Sequence, residues 1–191
     1  MTNCPFKSAD YRDIQSVNQL AAARKKPFGS IVAYFTERYL QRYARDNART
    51  PMQWSDTANA GFTSGTPWMK INENYREIHA DAQLKAPDSV FRFYQKALAL
   101  RKTYADIVRD GAFVPIDAQN REVLAFARRL GSRQLLVVCS LSPKPARVKI
   151  PAELCTGGAQ LLLSNMEAPP ALTETMRLAP CASVVWELCM D

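Results

Sequence analysis

Arg45-Asp46-Asn47-Ala48-Arg49-Thr50-Pro51-Met52-Gln53-Trp54 is the stretch on which the reading of this chain turns. It places two guanidiniums, a carboxylate, two amides and an indole within ten residues. Arginine donors hydrogen-bond hydroxyls and hold carboxylates in fixed geometry, and an indole offers a large apolar face with one polar edge. The set suits a polyhydroxylated ligand, with the indole stacked on a sugar ring. It equally suits a structural part, in which an Asp46–Arg49 pair pins a loop and Trp54 lies in the core. Residue chemistry by itself leaves both readings open.

Working outward, Ile31 to about Arg45 reads as a helix, with Ser30 as its N-cap after a Pro27/Gly29 break. Ile31, Val32, Phe35 and Tyr39 recur at spacings that predict one buried stripe. From Asn47 to Lys85 the chain is rich in Asn, Thr, Gly and Pro, and only Trp68–Ile71 reads as a strand. A loop of that length inside a compact domain is usually functional. A second helix is predicted from Asp88 to Tyr104, started by Pro87-Asp88-Ser89. Val90, Phe91, Tyr94, Leu98 and Arg101 lie on one stripe, with Phe93, Ala97 and Leu100 beside it. That pattern predicts burial on more than one side.

Beyond Asp110-Gly111 the period changes to that of short strands: 112–116, 123–128, 134–140, 147–150, 160–163, 175–178 and 183–188. Turn signals separate them, at Asp117–Asn120, Leu130-Gly131-Ser132, Pro143–Pro145 and Gly157-Gly158. Seven such strands predict an antiparallel β-sandwich of about 80 residues. The division falls near residue 108, giving 1–108 and 109–191 as the expected domains.

Length and composition narrow the function. A chain of 191 residues, 47% hydrophobic and 23% charged, is an ordinary globular protein of one or two domains. No stretch reaches the roughly 20 apolar residues of a membrane helix, and MTNCPFKSADYRD lacks a charged-then-apolar leader. A cytoplasmic location is expected, with no membrane partner. The net charge of +7 arises from 25 Lys+Arg against 18 Asp+Glu. Those charges are dispersed, and Arg24-Lys25-Lys26 is the longest cationic run, so a solvated basic surface is expected rather than nucleic-acid binding. Five cysteines (Cys4, Cys139, Cys155, Cys181, Cys189) form no C-x-x-C pair and read as free thiols. One histidine, His79, leaves little scope for a catalytic triad or a histidine-based metal site, and no metal or other cofactor is expected. No G-x-S-x-G elbow or phosphate loop is present. Asp10 and Asp13, around Tyr11-Arg12, read as turn carboxylates that cap a helix or pair with Arg12.

The string RDNARTPMQW, with Asn59-Ala60-Gly61-Phe62-Thr63 and Gly65-Thr66-Pro67-Trp68 after it, closely resembles the α-glucosidases of glycoside hydrolase family 13. The resemblance is to the group of oligo-1,6-glucosidase, dextran glucosidase, trehalose-6-phosphate hydrolase and sucrose isomerase. The opening MTNCPF…DYRDIQSVN resembles the segment after the eighth barrel strand of that group, and Asn72–Ile78 and Asp88–Lys102 match later landmarks. The sandwich matches more in pattern than in residues.

The resemblance implies the last part of a (β/α)8 TIM barrel, the loop and helix after the eighth strand, followed by the antiparallel β-sandwich. A whole barrel takes about 250 residues, more than this chain holds. The family's nucleophilic Asp, acid/base Glu and stabilising Asp, and any calcium-type loop, are therefore expected upstream of Met1. No residue here is expected to be catalytic. By its match, Arg45 is the expected substrate-binding residue, contacting the non-reducing-end glucose. Asp46, Arg49, Gln53 and Trp54 are expected at the rim or in structural roles, with a salt bridge favoured for Arg49. The implied activity is retaining hydrolysis of terminal α-1,6-glucosidic bonds in short gluco-oligosaccharides. The partner is an oligosaccharide taken by the complete barrel, and the isolated chain is expected to be inactive. Trehalose-6-phosphate hydrolysis and sucrose isomerisation are the alternatives within the family. A non-catalytic carbohydrate-binding or structural module is the alternative outside it.

Overall fold

The computed structural model describes residues 2–166 and 171–189, and its internal contacts divide the chain into two units, Met1–Arg92 and Phe93–Asp191. The side chain of Cys189 lies outside what is described.

The first unit starts from an acid-capped helix. Asp13 sits in extended backbone and its carboxylate accepts from the Ser16 amide, which starts α1 (Ile14–Arg24). Asp13 is thus a helix cap, one of the roles expected of it. The helix itself is not legible as a stripe, because its buried side is only Ser16, Leu20 and Ala23. The second helix, α2 (Gly29–Tyr43), begins earlier than predicted and is not capped by Ser30. Phe28 precedes it in the left-handed region at φ 58° with no side-chain cap. A Cβ on Gly29 would lie 2.2 Å from the Arg24 carbonyl oxygen, so the tight passage between the helices needs glycine.

The apolar stripe predicted for α2 is the main correction. Ile31, Phe35 and Tyr39 are each more than half exposed, and Leu40 is the one buried residue of the helix. Their spacing marks a face suited to cover, and nothing in residues 2–92 covers it. The core of this unit is instead a small cluster of Cys4, Phe6, Tyr11, Leu20, Leu40, Ala44 and Met69. Trp68–Ile71 is not a strand. No strand lies among the described residues of this unit to pair with it. The long loop also contains a short helix, α3 (Ala80–Lys85).

Helix α4 (Val90–Thr103) spans the division between the units. The Ser89 hydroxyl accepts from the Arg92 amide and starts it. No residue of α4 is fully buried, against the predicted burial on two sides, and Val90, Tyr94 and Leu98 are more than half exposed. After a break at Tyr104 the chain forms α5 (Ala105–Asp110), whose Ile107 is buried.

The second unit follows the predicted strands closely: β1 (Ala112–Ile116), β2 (Val123–Leu130), β3 (Arg133–Ser140), β4 (Ala146–Lys149), β5 (Ala159–Ser164), β6 (Thr175–Leu178) and β7 (Ser183–Cys189). They form a five-stranded sheet in the order β1-β2-β3-β7-β5 and a two-stranded sheet β4-β6, with all pairs antiparallel. Side chains alternate between the two faces of a strand. Val123, Ala125 and Ala127 of β2, Val184, Trp186 and Leu188 of β7, Val148 of β4 and Met176 and Leu178 of β6 all enter one core. That shared core makes the two sheets a sandwich. Gly131, at φ 58°, forms with Ser132 the two-residue turn between paired Leu130 and Arg133.

Candidate functional site

The residues 45–54 leave α2 through a single 3₁₀ turn, Arg45–Ala48, after Ala44 switches to extended backbone. Asp46 is completely buried in that turn. One carboxylate oxygen, Oδ2, accepts from the backbone amides of Arg12 at 2.8 Å and Asp13 at 2.9 Å. The end of α2 is thereby tied to the start of α1. Arg49 reaches back to both carboxylates, with Nη1 3.4 Å from Asp13 Oδ1 and 3.6 Å from Asp46 Oδ1. Asp46 Oδ1 has no hydrogen bond of its own.

The predicted Asp46–Arg49 pair is therefore present, with Asp13 as an added member and with Arg49 half exposed rather than buried. The Asp13 capping position is visible in the sequence as Asp followed three residues later by Ser16. Its partner 36 positions on is not. The neighbouring Tyr11 phenol is pushed up to about 12, first by burial and then by the charges of Glu37, Asp46 and Asp10. Its hydroxyl is buried with no hydrogen-bond partner.

The remaining residues of the stretch are placed apart from that pair. Gln53 is buried, and its amide nitrogen donates to Asn74 Oδ1 at 2.8 Å and to the Ile78 carbonyl at 3.0 Å. It joins the stretch to the segment 72–78. Trp54 is 53% exposed, so it is not the core residue of the structural alternative. Its backbone is fixed on both sides, by Trp54 N–H to Ala60 O and Asp81 N–H to Trp54 O. Arg45 is exposed and its guanidinium has no hydrogen bond or ion pair among the described residues. The motif thus holds one arginine in an ion-pair network and presents the other to solvent.

The loop that follows is held in an unusual backbone. Asn59, Ala60 and Gly61 are consecutive left-handed residues at φ 54°, 56° and 65°. Non-glycine residues visit that region at a cost of about 1–2 kcal/mol, and the surroundings fix it here. Ala60 is fully buried and its carbonyl accepts from the amides of Trp54 and Ser55. The Asn59 side chain donates to the carbonyls of Thr63 and Gly65. His79 caps nothing with its side chain, and its Nδ1 lies 2.8 Å from the Tyr75 carbonyl oxygen. Among the described residues no group of three His, Cys, Asp or Glu side chains is placed to hold a metal ion. No described helix is long and apolar enough to cross a membrane.

Comparison with known proteins follows this geometry along the chain. The family described as alpha amylase, catalytic domain, matches residues 29–111, and the maltogenic amylase C-terminal domain matches residues 113–183. The oligo-1,6-glucosidase of Parageobacillus thermoglucosidasius is 38% identical over 190 residues, covering 98% of this chain and 33% of that protein. The trehalose-6-phosphate hydrolase of Bacillus subtilis is 39% identical over 193 residues, with the same two coverages of 98% and 33%. Among solved structures, trehalose-6-phosphate hydrolase of Bacillus licheniformis superposes with a TM-score of 0.87 at 34% identity, covering 99% of this chain and 34% of that one. Isomaltulose synthase of Klebsiella sp. LX3 gives a TM-score of 0.82 at 30% identity, covering 98% and 33%. The chain spans about a third of the length of these relatives.

Proposed function

Because this chain belongs to the α-amylase family of glycosidases, as the C-terminal portion of its oligo-1,6-glucosidase-like members, we propose that it supplies part of the substrate site of a retaining α-glucosidase. In this reading residues 1–108 are the end of a (β/α)8 barrel and 109–191 its C-terminal sandwich. The substrate is a short gluco-oligosaccharide with a terminal α-1,6 bond. The same geometry would serve trehalose-6-phosphate hydrolysis or sucrose isomerisation, and a trehalose-6-phosphate hydrolase and an isomaltulose synthase are among the similar proteins.

The observation that carries the proposal is the division of labour within residues 45–54. Asp46, anchored on two backbone amides, fixes the turn, and the Arg49 guanidinium is shared between its carboxylate and that of Asp13. Arg45 is left with five unused donors beside this rigid turn. A guanidinium left unpaired in this way donates to sugar hydroxyls without first breaking an ion pair. Trp54 and Gln53 belong to the rim, one exposed and one anchoring the loop. The uncovered apolar face of α2 also supports a barrel element over a free-standing module, because large exposed apolar patches favour association.

Retaining hydrolysis needs two carboxyl groups about 5–5.5 Å apart, one as nucleophile and one as acid/base. In this proposal both come from the barrel segment that precedes these residues in the relatives. Arg45 orients the terminal glucose toward them. The test is a chimera in which these 191 residues replace the corresponding third of the Parageobacillus oligo-1,6-glucosidase. The chimera is expected to release glucose from isomaltose, and the isolated chain to leave an aryl α-glucoside untouched. Turnover of the aryl glucoside by the purified chain alone would overturn the proposal.

A further inference from the structure

A second feature of the first unit is not used by Arg45 and its network. Arg12, Asn59, Pro67, Trp68, Met69 and Lys70 line an open cavity of about 300 Å³. That volume is at the low end of ligand pockets and fits one ring rather than a chain. Its walls are of two kinds. Pro67, the exposed indole of Trp68 and the buried Met69 are apolar. Arg12, Lys70 and Asn59 bring polar groups.

The polar groups are poised to different degrees. The Arg12 guanidinium is exposed and has no hydrogen bond or ion pair among the described residues. Its backbone amide is fixed by Asp46. The Lys70 ammonium donates to the Pro5 carbonyl at 3.2 Å and pairs with Asp10 at 3.5 Å, so its charge is largely balanced. The Asn59 amide nitrogen is committed to Thr63 and Gly65, which leaves its Oδ1 as an oriented acceptor. The backbone that carries Asn59 is itself locked in the left-handed region.

We propose that this cavity is a saccharide subsite that takes one neutral hexose ring, separate from the Arg45 site. The indole of Trp68 covers the C–H face of the ring, Arg12 donates to its hydroxyls, and Asn59 Oδ1 accepts from one of them. A neutral ring is the better match because Lys70 is already balanced by Asp10, which leaves Arg12 as the single unpaired cation among the described residues that line the cavity. Neutral sugars need donors and acceptors together with an apolar face, and all three are here. The choice of a saccharide rests on the family reading above. The placement of the site rests on the cavity.

The experiment is a titration of the full chain, labelled with 5-fluorotryptophan, by methyl α-D-glucopyranoside, followed by fluorine NMR. Trp54, Trp68 and Trp186 give one signal each, assigned by single Trp→Phe variants. The expected result is a saturable shift of the Trp68 signal, with affinity weakened about tenfold in Arg12→Met through loss of a charged donor. A shift at Trp54 with Trp68 unmoved would overturn the subsite while supporting the Arg45 site. No shift at Trp68 in a chain with dispersed amide signals would also overturn it, without touching the Arg45 reading. Binding of glucose 6-phosphate but not of the neutral glucoside would replace it with an anion site. If residues 1–92 need the rest of a barrel to fold, the same titration on the chimera decides among these outcomes.

Discussion

Removing the Asp46 carboxylate should loosen the first unit and leave the second intact. In Asp46→Ala the amides of Arg12 and Asp13, now bonded at 2.8 and 2.9 Å, lose their shared acceptor in a fully buried place. Hydrogen bonds to a charged group contribute about 1.5–3 kcal/mol each, and buried donors left unpaired add to the loss. The carboxylate was itself costly to bury, with Oδ1 lacking a hydrogen bond, and its removal offsets part of this. Two such bonds lost, with that partial offset, amount to about 3 kcal/mol. Arg49→Ala should cost only about 1 kcal/mol, since its guanidinium is half in solvent and screened there. Hydrogen exchange read at single amides is the assay. At about 1.4 kcal/mol per tenfold, the Arg12 and Asp13 amides should exchange at least about 100-fold faster in Asp46→Ala. Amides of β3 and β7 should be unchanged. Exchange at Arg12 and Asp13 within tenfold of the parent chain would refute the reasoning, as would equal acceleration in β3.

Tyr11→Phe removes a buried hydroxyl that has no partner and should leave the stability in urea unfolding unchanged or raise it, by about 1 kcal/mol at most. A clear drop would mean the hydroxyl is bonded. Burial raises the parent phenol from 10.0 to about 12, so the folded state resists its ionisation: stability is full below pH 10 and falls as pH rises from 10 toward 12. Gly61→Ala combines φ 65° with a Cβ 2.4 Å from Ser55 Oγ, and should destabilise the first unit by about 2 kcal/mol in urea unfolding. A neutral result would mean that the loop relaxes freely. In the second unit Tyr104 donates to Glu187 at 2.6 Å, and this bond raises its phenol first, with burial and the carboxylate charge adding to it. The stabilisation is therefore complete below pH 10 and lost above the raised value. Glu187→Gln should bring the Tyr104 absorbance transition back toward 10, and an unmoved transition would contradict the assignment.

The sandwich was legible because strands such as β2, β4 and β6 alternate buried residues with more exposed ones over at least four positions, as in Val123-Leu124-Ala125-Phe126-Ala127. Turn residues separated the first five strands as well. Gly131 falls where a positive φ is needed. The first unit was legible only in part. Helix α1 escaped because its inner side is Ser16, Leu20 and Ala23, which is too small and polar to stand out. The periodicity of α2 gave the helix but not its burial, since a stripe states which face prefers cover and not whether cover exists. Trp68–Ile71 has a strand-like composition, but a strand needs a partner backbone, and the unit offers none among its described residues. Within the motif, the split between Arg45 and Arg49 depends on Asp13, which lies 36 residues from Arg49. Local spacing carries no trace of such a contact.

The central claim concerns Arg45, and the most direct measurement is kcat/KM for isomaltose hydrolysis by the chimera and by its Arg45→Ala form. Loss of a charged donor to a substrate hydroxyl should lower kcat/KM by about 10–100-fold, with the melting temperature of the chimera unchanged because Arg45 holds no ion pair. Equal kcat/KM in the two proteins would contradict the account and make residues 45–54 a structural clasp alone.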